Sequence, residues 1–328
     1  MTIHIHHAEV EPARKASLAF MYSPVVYTLR QGFAHLGASP QLQVHEYDAL
    51  LRVQHVHTGH IFLWVGVERA MEVPWPMLRA RGVHTIYFQT EPRPMGCQFN
   101  HSLVDEIWDF ARSNIAACAR QPNAPRQRYV PLGYNPKTAQ VVQRPLQRLE
   151  FFGEPTRYGR HACWAWLKNT SSVSRYLNAV YNIWNETAFT AYLRGAQGVF
   201  LNIHKGHTHG CNRVQGPVTF RNNILLGARG LILSEPCHPA DEAEFEGLIS
   251  FVPRNKIGFK FNELIAMTVL QRQKLADTRH AAFKARFDVS RIFTRASVAD
   301  LLRANSLQGM NRRKYSARGS ARSVGHWG

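Results

Sequence analysis

The sequence predicts an α/β protein of two doubly wound, Rossmann-like domains facing one another across a cleft. Three observations predict it. Short apolar runs alternate with helix-spaced stretches along most of the chain, the pattern of parallel sheets wrapped by helices. The alternation pauses at 135–148, which holds two prolines and three glutamines and reads as a linker, and restarts at Leu149. The length, 328 residues, is natural for two cores of ~150 residues each.

Taken in order, residues 1–15 are polar and His-rich and are expected to be frayed. Ser17–Tyr22 reads as a short buried strand, followed by a helix over Pro24–Leu36 that spaces Val26, Leu29, Phe33 and Leu36 at helical intervals. Leu42–Tyr47, Ile61–Val65, Val83–Gln89 and Glu106–Phe110 read as strands. Pro74–Arg81 is a helix with proline at its start, where the missing N–H does no harm. A helix over Ala111–Arg120 and a sixth strand over Tyr129–Leu132 complete the first half.

In the second half, Leu149–Phe152 is a strand ending at Gly153, and Arg160–Leu167 is a helix; 170–195 shows no clear pattern. Val199–Ile203 and Leu231–Leu233 are strands flanking a segment that opens on Arg221-Asn222-Asn223 and closes on Gly230. Glu242–Leu248 reads as helix, Ile249–Val252 as strand, Asn262–Phe287 as one long amphipathic helical stretch and Ala296–Leu302 as a last helix. The resulting division is 1–140, 148–290, a closing helix in 291–305, and a Ser/Gly/Arg-rich tail, 306–328, expected to be disordered.

Composition narrows the function classes. Apolar residues make up 45% of the chain, so disorder is excluded for most of it. The formal net charge is +18, which favours anionic partners such as nucleotide diphosphates or nucleic acid. The tail from 301 onward carries Arg303, Arg312, Arg313, Lys314, Arg318 and Arg322 with no acid, so a third of the excess lies there. The five cysteines are odd in number, widely spaced and without a CxxC pair, which argues for reduced thiols in the cytoplasm. No apolar run approaches the ~20 residues of a membrane span.

The chemistry gathers at strand ends, where open α/β sheets bind ligands. Asn202-Ile203-His204 follows one apolar run, and Ser234-Glu235 follows the next. In the first half Glu91 and Asp109 occupy the equivalent places. His204, His207, His209 and Cys211 have metal-ligand side chains, but the loop holding them has no evident scaffold, and no metal is expected.

These residues resemble the glycosyltransferases of GT-B fold, in particular the spore-maturation-protein-like, glycosyltransferase group 1-like family. In the second half the likeness is carried by Leu201-Asn202-Ile203-His204, Arg221, the apolar Ile224–Ala228 and Ser234-Glu235, with 14 positions from Arg221 to Glu235. In the first half it is carried by Tyr87-Phe88-Gln89-Thr90-Glu91, Glu106-Ile107-Trp108-Asp109-Phe110 with Ser113-Asn114, and Val130-Pro131-Leu132-Gly133-Tyr134. Phe151-Phe152-Gly153 with Arg157 and Arg160 resembles the start of the family's second domain. One departure stands out: many retaining GT-B enzymes carry two glutamates near the donor, and Pro217–Leu225 holds no acid.

The resemblance implies transfer of a sugar from a nucleotide-sugar donor, held by the second domain, to an acceptor held by the first, with no bound metal and no other cofactor. The acceptor would be a glycan, a protein or a small molecule. Nucleic acid is the alternative acceptor suggested by the charge, and a binding scaffold without catalysis is the alternative suggested by the absent glutamates. Arg221, near a predicted helix start, is expected to grip the diphosphate. Asn202, His204, Asn222, Ser234, Glu235, Gly153 and Arg157 complete the expected donor site. Glu91 is the first candidate for general base and Asp109 the second.

Overall fold

In the computed structural model the described residues are 2–305, apart from 9–16, 38–41, 48–52, 54, 68, 92–102, 157–159, 171, 182, 184 and 205–218. The chain forms two all-parallel sheets. The first is built from β1 (Ile3–Ala8), β2 (Leu42–Tyr47), β3 (Ile61–Val65), β4 (His84–Gln89), β5 (Glu106–Asp109) and β6 (Arg126–Tyr129), in the order β2-β1-β3-β4-β5-β6. Its helices are α1 (Ser17–His35), α2 (Trp75–Ala80) and α3 (Arg112–Cys118).

The second sheet is built from β7 (Leu149–Phe152), β8 (Leu177–Val180), β9 (Val199–Asn202), β10 (Leu231–Ser234) and β11 (Ser250–Phe251), in the order β11-β10-β9-β7-β8. Its helices are α4 (His161–Thr170), α5 (Glu186–Gly195), α6 (Thr219–Gly227), α7 (Pro239–Glu244), α8 (Ile257–Ala266) and α9 (Val269–Arg286). Then α10 (Val289–Arg295) and α11 (298–305) return to the first sheet.

Strand alternation sorts the core into three layers. Ile61, Leu63 and Val65 of β3 face α1, in a core that continues without a break to Phe200, Ile232 and the helices α5, α6 and α9 of the second sheet. Phe62 and Trp64 point the other way, onto Trp75 and Leu78 of α2. Phe151, Leu201 and Leu233 face α4 and α8 on the far side of the second sheet. The return of α10 is a close fit: a Cβ at Gly32 of α1 would stand 2.1 Å from the Phe293 ring.

Within 1–15, residues 3–8 are ordered in a strand, and residues 1 and 9–15 lie outside the described residues. Residues 3–8 form β1, paired with β2 on one side and β3 on the other. The histidines misled the reading: His4 and His6 are buried, and His4 Nε2 meets His60 Nδ1 at 3.0 Å. A neutral imidazole with a partner tolerates a sheet interior.

Ser17–Tyr22 is not a strand either; it is the start of α1, whose Tyr22, Val25, Leu29 and Phe33 line one buried face. A six-residue apolar run carries no period of its own, so the sequence could not separate it from a strand. Pro24 lies inside this helix and has no N–H to bond the Phe20 carbonyl. The Ser23 hydroxyl donates to that oxygen at 2.9 Å.

Smaller corrections follow from pairing and capping. β6 begins at Arg126, four residues before the apolar Val130–Leu132, because its ladder with β5 runs Glu106↔Arg126 to Asp109↔Tyr129. The stretch 262–287 is two helices, broken at Met267 and restarted by a capping box between Thr268 and Gln271. The unassigned 170–195 holds β8 and α5. The tail 306–328 lies outside the described residues, and so do His207, His209 and Cys211.

The expectation of reduced thiols throughout does not hold. Cys118 and Cys163 are disulfide-bonded, and Cys237 is a free, buried thiol. Alkylation in denaturant without reductant is expected to label Cys237 at once, and Cys118 and Cys163 only after reduction. First-round labelling of Cys118 would restore the reduced reading. Among the described residues no helix is long and apolar enough to cross a membrane.

Candidate functional site

The carboxyl ends of β7, β9 and β10 converge on one cluster. Asn202, the last residue of β9, is fully buried. Its Oδ1 accepts from Arg221 Nη1 at 2.9 Å, and its Nδ2 donates to Ser234 Oγ at 2.9 Å. The Ser234 hydroxyl donates onward to the Glu235 carbonyl at 2.9 Å. Both polar groups within the strand ends are therefore satisfied inside the protein, and their effect is to aim Arg221.

Arg221 lies in the first turn of α6, and only 8% of it is exposed. Its guanidinium sits 4.9 Å from the centre of the Phe151 ring, and Arg160 approaches the same ring at 5.6 Å. Gly153 makes the approach feasible: a Cβ there would stand 2.7 Å from Arg221 Nη2, and its φ of 145° disfavours other residues. Among the described residues no carboxylate pairs with Arg221. Burial pushes its pKa well down, and the neighbouring Arg160 charge adds to that. Two buried cations against one aromatic ring form a cradle that wants an anion.

Asn222 is fully buried, and neither atom of its amide has a hydrogen-bond partner among the described residues. Arg160 donates from Nε to the Ile203 carbonyl at 3.2 Å and from Nη1 to the Glu154 carbonyl at 3.3 Å.

His204 is buried, and its Nε2 lies 3.0 Å from the Glu235 carbonyl. A carbonyl only accepts, so Nε2 carries the proton, and Nδ1, which has no partner among the described residues, presents a lone pair. Burial lowers the His204 pKa against the opposing pull of Glu235, which favours this neutral form. Glu235 is not an exposed strand-end acid. It is 5% exposed, accepts from Arg254 Nε at 2.8 Å, and accepts from the His204 N–H at 3.2 Å. Arg160 and Arg254 are the site residues that the donor-site reading did not assign; their signal was position, one after Gly153 and one after β11. Arg157 lies outside the described residues.

On the first sheet, Glu91 and Asp109 stand at the carboxyl ends of the adjacent strands β4 and β5. Asn114 ties them together, its Nδ2 lying 3.3 Å from the Glu91 carbonyl and 3.2 Å from Asp109 Oδ1. Asp109 Oδ1 also accepts from the Ala111 N–H at 2.8 Å. Asp241 of α7 reaches the start of α3 from the second domain, accepting from the Arg112 N–H at 2.7 Å, the Ser113 N–H at 3.3 Å and the Ser113 hydroxyl. Arg112 pairs with Glu244 beside it. The two sets of strand ends are thus held together by acids of α7.

Burial raises the Asp109 pKa well above the usual carboxylate range, outweighing the hydrogen bonds it accepts, and Asp241 adds to the rise. A folded pKa above the unfolded value means that the protonated form stabilises the fold. That contribution is complete below about pH 4 and is lost as pH rises through the raised value. Asp109→Asn keeps an oxygen acceptor for Ala111 and Asn114 and removes the charge. It is expected to raise the melting temperature at pH 8, with the gain shrinking toward pH 4. A melting temperature lowered equally at both pH values would refute this.

No protein-family model matches the chain, and no curated protein matches it. Solved structures do. The Anabaena protein HepE in complex with UDP-glucose aligns over 92% of this chain and 99% of its own, with 11% identity and a TM-score of 0.55. AviGT4, a glycosyltransferase involved in avilamycin A biosynthesis, aligns over 90% of this chain and 96% of its own, at 11% identity and a TM-score of 0.52. An E. coli trehalose-6-phosphate structure bound with UDP-2-fluoro glucose aligns over 92% and 99%, at 12% identity and 0.51. The chain has the GT-B fold, with two Rossmann-like domains and their strand ends turned toward a common cleft. At such identities the likeness speaks for the fold alone.

Proposed function

We propose that this protein is a metal-independent glycosyltransferase that moves a sugar from a nucleotide-sugar donor, bound at the ends of β7, β9 and β10, to an acceptor approaching from the first domain. The observation that carries the proposal is the Arg221–Arg160 pair over Phe151, buried and without a carboxylate for Arg221 among the described residues. Solved proteins of this fold in complex with UDP-glucose support the choice of anion.

In this reading the diphosphate lies against Arg221 and the Asn222 amide, with Arg160 adding charge. Phosphate oxygens gain charge as the sugar leaves, and fixed guanidiniums in a dry site stabilise that charge without reorganisation. Asn202, Ser234 and Gly153 position Arg221. His204 Nδ1 accepts from a donor hydroxyl. Glu235, fixed by Arg254, keeps lone pairs for ribose hydroxyls. Glu91 takes the proton of the acceptor hydroxyl, with Asp109 behind it across Asn114.

The test is binding, then turnover. One of UDP, GDP or ADP is expected to raise the melting temperature, and the matching nucleotide-sugar to be hydrolysed slowly without acceptor, both unchanged by EDTA. Failure of every nucleotide to bind overturns the proposal; loss of binding in EDTA overturns metal independence. The acid-free stretch Pro217–Leu225 favours one second reading, a scaffold that binds the nucleotide without catalysis. Binding without hydrolysis of any donor would select it.

A further inference from the structure

Among the described residues seven large apolar side chains are exposed, and four of them gather where α8 meets α9 and the linker beside it. Residues 265–270, Ile-Ala-Met-Thr-Val-Leu, join the two helices, and every one of them is at least partly exposed. Leu270 is 78% exposed and Val269 38%. Phe259, 66% exposed, lies two turns before Ala266 on the outer face of α8, about 10 Å along the axis. Val142 of the linker, also exposed, precedes Gln143, whose N–H donates to Gln273 Oε1 of α9 at 3.1 Å. Peptide groups at both helix ends find partners inside the protein. Buried Arg272 donates from Nη1 to the carbonyls of Leu264 and Met267 at 3.0 and 2.6 Å, which closes the end of α8. The Thr268 N–H donates to Gln271 Oε1 at 2.8 Å and the Gln271 N–H to Thr268 Oγ1 at 3.2 Å, which closes the start of α9. These apolar side chains can therefore leave water without stranding the peptide groups at those ends.

We infer that the α8–α9 junction is a docking surface for a lipid bilayer with anionic headgroups, an inference that does not rest on the transferase reading. Exposed leucines scattered singly are ordinary; a contiguous apolar run across a helix junction is not. Phe259, Val269 and Leu270 enter the boundary between headgroups and acyl chains. The charge beside them suits that surface. Lys256 lies one turn before Phe259 and Lys274 one turn after Leu270, both exposed, and Lys260 adjoins Phe259. The only acid in 254–274 is Glu263, which pairs with Lys260, so two lysines are left to meet headgroup phosphates. A protein partner fits less well. The patch offers on the order of a few hundred Å², against the ~800 Å² that each partner buries in a stable complex, and lysine is depleted in protein interfaces. No helix among the described residues is long and apolar enough to cross a membrane, so the attachment is to the bilayer surface.

The experiment is co-sedimentation of the full chain with vesicles of phosphatidylcholine, alone or mixed with phosphatidylglycerol. The mixed vesicles are expected to bind about tenfold or more tightly, and added salt to weaken that binding. Phe259→Ser combined with Leu270→Ser is expected to lower affinity for the mixed vesicles about tenfold or more, and so is Lys256→Gln combined with Lys274→Gln. Met77→Ser, at an exposed apolar position on α2 of the first domain, is expected to bind as the wild type does. All of these side chains are exposed, and melting curves check that each variant folds. Failure of the mixed vesicles to bind the chain overturns the proposal, as does equal binding to the two vesicle types. Undiminished binding by the folded Phe259/Leu270 variant, the result expected if the basic tail alone adsorbs, also overturns it. So does a concentration-dependent dimer in sedimentation velocity that the same variant abolishes, because the surface would then belong to a second copy of the chain.

Discussion

Replacing Arg221 by methionine is expected to remove nucleotide binding and at the same time raise the melting temperature of the empty protein. Both effects follow from one geometry. The guanidinium is buried beside a second guanidinium, and its hydrogen bond is to a neutral amide, Asn202. Burying a charge without a counter-charge costs several kcal/mol even after relaxation. Removing it leaves Asn202 Oδ1 unbonded, a loss of about 1–3 kcal/mol, which is the smaller quantity. A methionine stem still covers Phe151.

Binding moves the other way. Truncating one partner of a buried charge-assisted contact costs about 2–5 kcal/mol, so nucleotide affinity should fall roughly a hundredfold. Calorimetric titration and a melting curve on the same variant read both quantities. Unchanged affinity removes Arg221 from the donor site. A melting temperature lowered as by a core cavity would mean that the cradle is structural.

Arg128→Ala is expected to be among the most destabilising single changes in the first domain, by about 3–5 kcal/mol. Arg128 and Glu106 are each 3% exposed and bonded twice, Nε to Oε2 at 2.6 Å and Nη2 to Oε1 at 2.9 Å. Arg128 Nη1 also donates to the carbonyls of Ala296 and Ser297, which join α10 to α11. The variant would leave a buried carboxylate and two carbonyls without their cation. His84 lies 3.9 Å from Glu106, and burial lowers its pKa against the pull of that carboxylate.

Against a typical stability of 5–15 kcal/mol the loss is large. Urea denaturation measures it. Glu106→Gln with Arg128→Met together should lose much less than Arg128→Ala alone, since no charge is then left unpaired. A loss below about 1 kcal/mol for the single variant would show that the pair is solvated in solution.

Most strands were legible because parallel strands buried on both faces are continuous apolar runs, as at Ile61–Val65, Val199–Asn202 and Leu231–Ser234. β1 escaped because three of its five described buried side chains are histidines, which are polar until paired. The start of α1 escaped because six apolar residues fit either period. The candidate donor residues could be picked out because ligand sites lie at strand ends, a rule of topology.

What each of them does within the site was not legible. Asn202 and Ser234 look alike as donors and acceptors until their bonds show them turned inward, toward Arg221 and Glu235. The proton position on His204 depends on a carbonyl 31 residues away. The disulfides at Cys118 and Cys163 could not be read either, because wide spacing in the chain says nothing of distance in space.

By itself, then, the sequence determined two α/β domains and most of the strands, with the candidate site residues at their ends, because those depend on local periodicity and on chain direction. Only the tertiary structure decided that Arg221 and Arg160 share one ring and that α7 of the second domain caps α3 of the first. Each of these is a contact between residues distant in the chain. Burial, and with it the strength of every charge and hydrogen bond in the site, exists only once those contacts are made.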